Sequence, residues 1–286
     1  MSGGCRCCCA RPWSCAARPR RRGADHQEQE GEPGMVKEGT TLDYLNPRFK
    51  VGLYDWDLFV GPGAGEPAID FTALDLEGNE VKLSDFRGRW VVLETGSATC
   101  SQYSKNIERV GDLRAEFPDV EFLVVYVREA HPGERLPQHR SFEEKKRAAA
   151  LLPKKYKEHR RILIDSLDGQ MHRAYGAMPN VVYVINPDGI VHYRCDWMHI
   201  EGLRAALRDR EHVHTEEHAE LKKISAQRSV WTAIRTMWTG GIIALWDFVV
   251  QTPALYRKHK LIDAYYRTHG RFRRRPDEPD PEARSS

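Results

Sequence analysis

Two cysteines stand apart from the rest. Cys100 and Cys195 lie in the body of the chain, whereas the other five of its seven cysteines fall within the first fifteen residues. A thiol attacks only as thiolate, and at its ordinary pKa of about 8.5 only a few per cent is ionised at neutral pH. Cys100 follows Gly96-Ser97-Ala98-Thr99 and precedes an amphipathic run. That is the start of a helix, where unpaired N–H groups and the helix dipole favour negative charge. Cys100 is therefore expected to be an ionised nucleophile, with Thr99 as the cap and Ser97 beside it. The third residue beyond it is Tyr103, so the dithiol exchange of a CxxC pair is closed and another thiol must resolve an oxidised Cys100. Two polar clusters supply acid-base groups: Glu129 and His131, two apart and hence on one side of an extended segment, and His139 shortly after. An imidazole tuned by a carboxylate gives or takes a proton near neutrality.

The elements that must position these groups follow from periodicity. Two short strands flank the turn Glu77-Gly78-Asn79, and a buried strand runs from Trp90 to Glu94. After Cys100, residues Tyr103, Ile107, Val110, Leu113 and Phe117 recur at helical spacing and stop before Pro118. A second buried strand, Phe122 to Val127, leads into the histidine loops just after Tyr126. A helix over 141–150, a strand at Ile162 to Ile164 and a short helix through Tyr175 follow. Val181 to Ile185 and Ile190 to Cys195 flank Asn186-Pro187-Asp188-Gly189 as an antiparallel hairpin. Pairing Asn186 with Gly189 sets Cys195 opposite Asn180, beside Pro179, and makes Cys195 a candidate resolving thiol. The hairpin is followed by a helix over 200–210. The order is that of a thioredoxin-like α/β fold, a mixed central sheet flanked by helices. Pro179 takes the place where that fold sets a cis-proline against its active-site cysteine. The chain ends of parallel strands open on one crevice, so the polar clusters should meet Cys100 there.

Composition bounds the rest. Over 286 residues, 44 Lys and Arg face 41 Asp and Glu, a near balance that argues against a nucleic-acid binder. No run of about 18 apolar residues is present to cross a bilayer. Residues 1–34 hold six Arg and no acid before Gly23, with no apolar run or period, and read as a disordered Cys/Arg-rich leader. Its Cys5 and Cys8 form a CxxC, and Met35 opens more ordinary sequence as an alternative start. An extension over 35–62, the thioredoxin-like domain over 63–210, a helical extension over 211–270 and a disordered tail over 271–286 complete the expected organisation. Cytoplasmic location is expected from the cysteine usage. The helical extension carries His212, His214, His218 and His259 and a stripe of Trp231, Ile234, Trp238, Ile242, Leu245 and Val249. This stripe reads as a face docked on the domain itself or on a second copy in a homodimer, in preference to a membrane surface.

Four blocks in order, GSATC, YVREAHP, PQHRSFEEKKRAAALL and AYGAMPNVVYVI, resemble the iodothyronine deiodinase family over about 63–210. These are thioredoxin-fold selenoenzymes that remove iodine reductively from iodothyronines. The resemblance places Cys100 where the family has selenocysteine, with Ser97 and Thr99 matching its small hydroxyl residues. Glu129 and His131 match the EAH block, and His139 the PQHR block. It implies attack of the Cys100 thiolate on an aryl iodide, and proton delivery by His131 or His139 poised by Glu129. An external thiol reductant or Cys195 would restore Cys100, with no resident cofactor or metal. Ser101 stands where the family usually has Pro, and PGERL replaces its Trp-bearing loop after EAH.

Two other functions compete. Peroxiredoxins share the fold and open with a segment like GEPAIDFTALDLEGNEVKLSDFRGRWVVL, which makes a peroxide the alternative substrate. They place Thr three residues and Pro seven residues before the reactive cysteine, where Ser97 and Leu93 stand here. The other competitor is a silent thioredoxin-like scaffold whose C-terminal helices bind a partner, with Cys100 buried and inert.

Overall fold

The computed structural model describes residues 44–54, 56, 58, 60–214 and 230–270. The leader with its CxxC, Met35, His218 and the tail lie outside these residues.

The helices and strands follow the expected order. Strands β1 (Thr72–Asp75) and β2 (Glu80–Lys82) form the first hairpin, and β3 (Trp90–Gly96) runs into the Cys100 loop. Helices α1 (Ser101–Ser104) and α2 (Ile107–Glu116) come next, then β4 (Val120–Tyr126), α3 (Phe142–Ala149) and α4 (Leu151–Tyr156). Strand β5 (Arg161–Ile164), helix α5 (Gln170–Ala174), the hairpin β6 (Val182–Ile185) and β7 (Val191–Cys195), and α6 (Ile200–Arg208) complete the domain. Helices α7 (Val230–Gly240) and α8 (Ile242–His269) extend it.

One seven-stranded sheet, ordered β2-β1-β5-β4-β3-β6-β7, carries the fold. β3, β4 and β5 are parallel, while β6 runs antiparallel to β3 and β1 antiparallel to β5. The central strands are buried on both faces, as the apolar runs VVL and FLVVY require. Parallel β3 and β4, an antiparallel β6 beside them and helices on the faces make this the expected thioredoxin-like mixed sheet.

Three local expectations need correction. The single helix after Cys100 is divided at Lys105–Asn106, where Asn106 Nδ2 donates to the Gln102 carbonyl at 2.9 Å. The hairpin register is already one residue out at Ile185–Val191, and a further shift between Val184 and Ile185 adds a second, so that Cys195 stands opposite Val182 rather than Asn180. The stripe of Trp231, Ile234, Trp238, Ile242 and Val249 does not dock on the domain; each of these side chains is exposed. The opposite face, with Ala233, Thr236, Met237, Ala244 and Leu255, is the one packed inward.

Gly96 ends β3 because nothing larger fits there. A Cβ at this position would lie 2.6 Å from the Tyr103 ring, whose hydroxyl donates to Glu158 Oε2 at 2.6 Å. Gly96→Ala is expected to cost about 1 to 3 kcal/mol of stability, measured as a lowered denaturant midpoint at unchanged slope. An unchanged midpoint would show that the ring is free to move.

Candidate active site

Cys100 stands at the end of β3, in the crevice that the parallel strands open at their C-terminal ends. It is the N-cap residue of α1, with extended backbone dihedrals, so Thr99 does not cap this helix as expected. Ser97 and Thr99 instead tie the cysteine loop to the histidine loop. Ser97 Oγ accepts from the Ala130 N–H at 3.2 Å, and Thr99 Oγ1 accepts from the His131 N–H at 3.0 Å.

Glu129 is the hub behind this junction. Its fully buried carboxylate accepts from the Thr99 N–H at 2.9 Å, from Thr99 Oγ1 at 2.5 Å and from the Tyr126 hydroxyl. His139 Nε2 lies 3.5 Å from the same carboxylate, and the Gln138 amide makes reciprocal bonds to the Glu129 backbone at 3.0 and 2.8 Å. A buried carboxylate survives only with such donors around it.

Cys100, His131 and Pro179 line one cavity, together with Phe49, Trp56, Trp197 and, from α8, Phe248, Leu255 and His259. The His131 ring sits 4.2 Å from that of Phe49 and 5.5 Å from that of Phe248, centre to centre. His139 and Glu129 are not in this lining; they stand on the far side of Thr99. The cavity volume is about 30 Å³, room for about two waters. A wider groove of about 740 Å³ lies at the other end of the sheet, lined by Arg114, His159 and Arg161, away from the thiol.

The electrostatics of Cys100 reverse the sequence expectation. Burial pushes the thiol up to about 11, against a smaller lowering by the Tyr103 and Gln102 N–H groups, while Glu94 and Glu129 add like-charge repulsion. α1 holds four residues, too few for a dipole that would offset desolvation. Beneath Cys100, the fully buried Glu94 accepts from Arg160 at 2.6 Å and from Asn180 at 2.9 Å, and burial keeps its carboxyl above the ordinary range. Glu158 pairs with the same Arg160 and is held low by its hydrogen bonds, even though burial opposes them.

Cys195 does not join the site. It is buried in a separate core cluster with Val182, Val184 and Tyr193, and its Sγ donates to the Trp197 carbonyl at 2.7 Å. No disulfide links it to Cys100. Among the described residues no group of His, Cys, Asp and Glu is placed to hold a metal.

Sequence reasoning missed the α8 contribution and Lys145. The ammonium of Lys145 is buried, donates to the Ser166 carbonyl at 2.7 Å, and is pushed down to about 8 by burial against the pull of Asp165, Glu129 and Asp168. A signal was available, since Lys145 sits three and four residues before the buried Ala148 and Ala149 on one helix face. Nothing in the local pattern announces Phe248 or Leu255. Replacing the hub by Glu129→Gln keeps its size but removes the charge behind three donors. The expected result is an activity loss of about tenfold or more, with Cys100 alkylation undiminished because a repelling carboxylate is gone. Unchanged turnover would remove Glu129 from any role.

The fold and this site define a thioredoxin-like protein with a single buried cysteine at the end of its central strand, faced by a histidine and a proline. The chain belongs to the iodothyronine deiodinase family, whose pattern matches residues 35–211. A thyroxine 5-deiodinase of Gallus gallus is 29% identical over 149 residues, 48% of this chain and 57% of that protein. That of Sus scrofa is 31% identical over 149 residues, 48% of each chain. The chain thus spans about half the length of the curated relatives it matches. Among solved structures, a secreted disulfide oxidoreductase of Mycobacterium tuberculosis aligns with a TM-score of 0.38 at 18% identity, covering 48% of this chain and 94% of that one. A thiol-disulfide oxidoreductase of Bacteroides fragilis aligns with a TM-score of 0.39 at 16% identity, covering 51% and 99%.

Proposed function

We propose that this chain is a thiol-dependent reductive dehalogenase of aromatic iodides, an iodothyronine being the substrate that its relatives' names suggest. The observation that carries this reading is the shared cavity of Cys100, His131 and Pro179, within the stretch matched by the family. The Cys100 thiolate attacks iodine, forming an S–I bond as the aryl C–I bond breaks, and the carbanionic ring carbon takes a proton from His131. One molecule of external thiol then displaces iodide from sulfur, giving a mixed disulfide and releasing a proton. A second thiol frees Cys100 and leaves as the oxidised disulfide. External reductant is preferred over Cys195, whose sulfur is committed to the Trp197 carbonyl.

A cavity of about 30 Å³ does not admit an iodinated ring. Substrate entry therefore requires α8 to withdraw Phe248 and Leu255 from the crevice. The same opening rehydrates Cys100 and lets its thiol ionise, so that binding and activation are one event. A sulfur nucleophile is less polarisable than selenium, and turnover is correspondingly slow.

The test is iodide release from thyroxine by the full chain with dithiothreitol, run beside peroxide consumption under the same conditions. Iodide release that disappears in Cys100→Ser is expected. Peroxide consumption without iodide release would overturn the proposal in favour of a thiol peroxidase. Neither activity, with Cys100 inert to alkylation, would make the chain a scaffold.

A further inference from the structure

Nine of the twelve large apolar side chains that stand exposed among the described residues belong to α7 and α8. Trp231, Ile234 and Trp238 repeat at helical spacing on α7, and Ile242, Trp246 and Val249 continue on α8 beyond the single residue Gly241. Trp231 is 79% exposed, Trp246 63% and Trp238 45%. Apolar surface of this extent on a folded chain marks a contact site.

The charges around it are mainly basic. Arg135 stacks on the Trp238 ring at 3.9 Å, Arg235 lies 5.7 Å from the Tyr156 ring, and Lys155 donates to Thr239 Oγ1 at 2.5 Å. These three form one cluster, close enough that Arg235 and Arg135 hold the Lys155 ammonium below its ordinary value, with burial the larger cause. The two carboxylates nearest this face are each held by a partner. Asp247 turns inward to pair with Arg48, and Glu134 accepts from the Ile242 and Ile243 N–H groups at 2.6 and 2.9 Å, capping α8.

We propose that the outer face of α7 and α8 docks on the surface of an anionic lipid bilayer. Tryptophan places an apolar ring and a polar N–H at the boundary of headgroups and acyl chains, and a helix with such a face lies in that plane. The Arg135, Lys155 and Arg235 cluster meets the lipid phosphates and carboxylates. No described helix is long and apolar enough to cross the bilayer, which fits a helix pair lying on it. A second copy fits less well, because an isologous contact through this face would bring the basic cluster towards its own duplicate.

The experiment uses the full chain with phosphatidylcholine vesicles, with and without phosphatidylserine, reading sedimented fraction and tryptophan emission. Partition to the serine-containing vesicles with a blue shift is expected. It should fall about fivefold for each cation lost in Lys155→Ala and Arg235→Ala. In the triple variant Trp231→Ser, Trp238→Ser, Trp246→Ser it should fall about tenfold or more. These side chains are exposed, so thermal melting of the variants should match the parent. Failure of the folded full chain to partition overturns the proposal, as does partition that the triple variant retains. A solution dimer dissociated by the triple variant, without vesicle binding, assigns the face to a second copy and overturns it equally.

Discussion

At pH 7, a Phe248→Ala variant is expected to be alkylated at Cys100 by iodoacetamide about a hundredfold faster than the parent chain. Phe248 is a half-buried wall of the cavity, and its ring also contacts His131. Burial sets Cys100 at about 11, about two units above a free thiol, and each unit is a tenfold change in thiolate. Removing the ring lets water reach the sulfur and returns those two units. The pH profile carries the sign. The parent's rate should climb until about pH 11, and the variant's should level near pH 9. Rapid labelling of the parent at pH 7 would mean that the crevice stands open without help. A raised folded-state thiol pKa also stabilises the fold fully below the unfolded value. The parent should accordingly lose about 3 kcal/mol as the pH rises from about 9 through 11, and the variant less. Cys195, in its own core cluster, should stay slow in both proteins.

The same residues show how far the chain's pattern carries. Strand β3, the cysteine at its end and the turn at Asn186 to Gly189 were legible because each rests on local periodicity or turn chemistry. The polarity of the Cys100 environment was not, because it depends on α8, some 150 residues away, and desolvation leaves no trace in spacing. The apolar stripe of α7 was visible, but its direction was not. Apolarity identifies a face, while the choice of which face turns inward was made by close backbone contact. Gly133 in the histidine loop lies against the Gly240 carbonyl, where a Cβ would come within 2.4 Å, and the Arg135 N–H donates to that carbonyl at 3.0 Å. Gly240, with Ala233 and Thr236 on the same inner face of α7, permits that approach, and the tryptophans are left outside. The same loop sequence, PGERL, supplies Glu134 as the cap of α8. The departure from the family's loop thus coincides with the site where the helical extension is fastened.

His131→Ala and His139→Ala should separate two roles that spacing alone left merged. His131 lines the cavity with Cys100, whereas His139 stands behind Glu129, 3.5 Å from its carboxylate. A proton donor to the ring carbon must reach the cavity, so His131→Ala is expected to lower kcat for iodide release by about 10² to 10⁴. Its KM should change little, and Cys100 should remain alkylable, because the loss falls on proton delivery and not on the nucleophile. His139 acts through Glu129 and Thr99 on the placement of the His131 N–H: its ring lies 3.5 Å from the Glu129 carboxylate, from which two hydrogen bonds lead to His131. His139→Ala is therefore expected to cost about tenfold or less in kcat at unchanged KM, and rescue by a conservative variant is the mark of a positioning role. His139→Asn should recover part of that loss by donating to Glu129 in place of the imidazole. A larger effect at 139 than at 131 would invert the assignment and make Glu129 and His139 the proton-delivering pair. The opened form of the crevice would then have to reach behind Thr99.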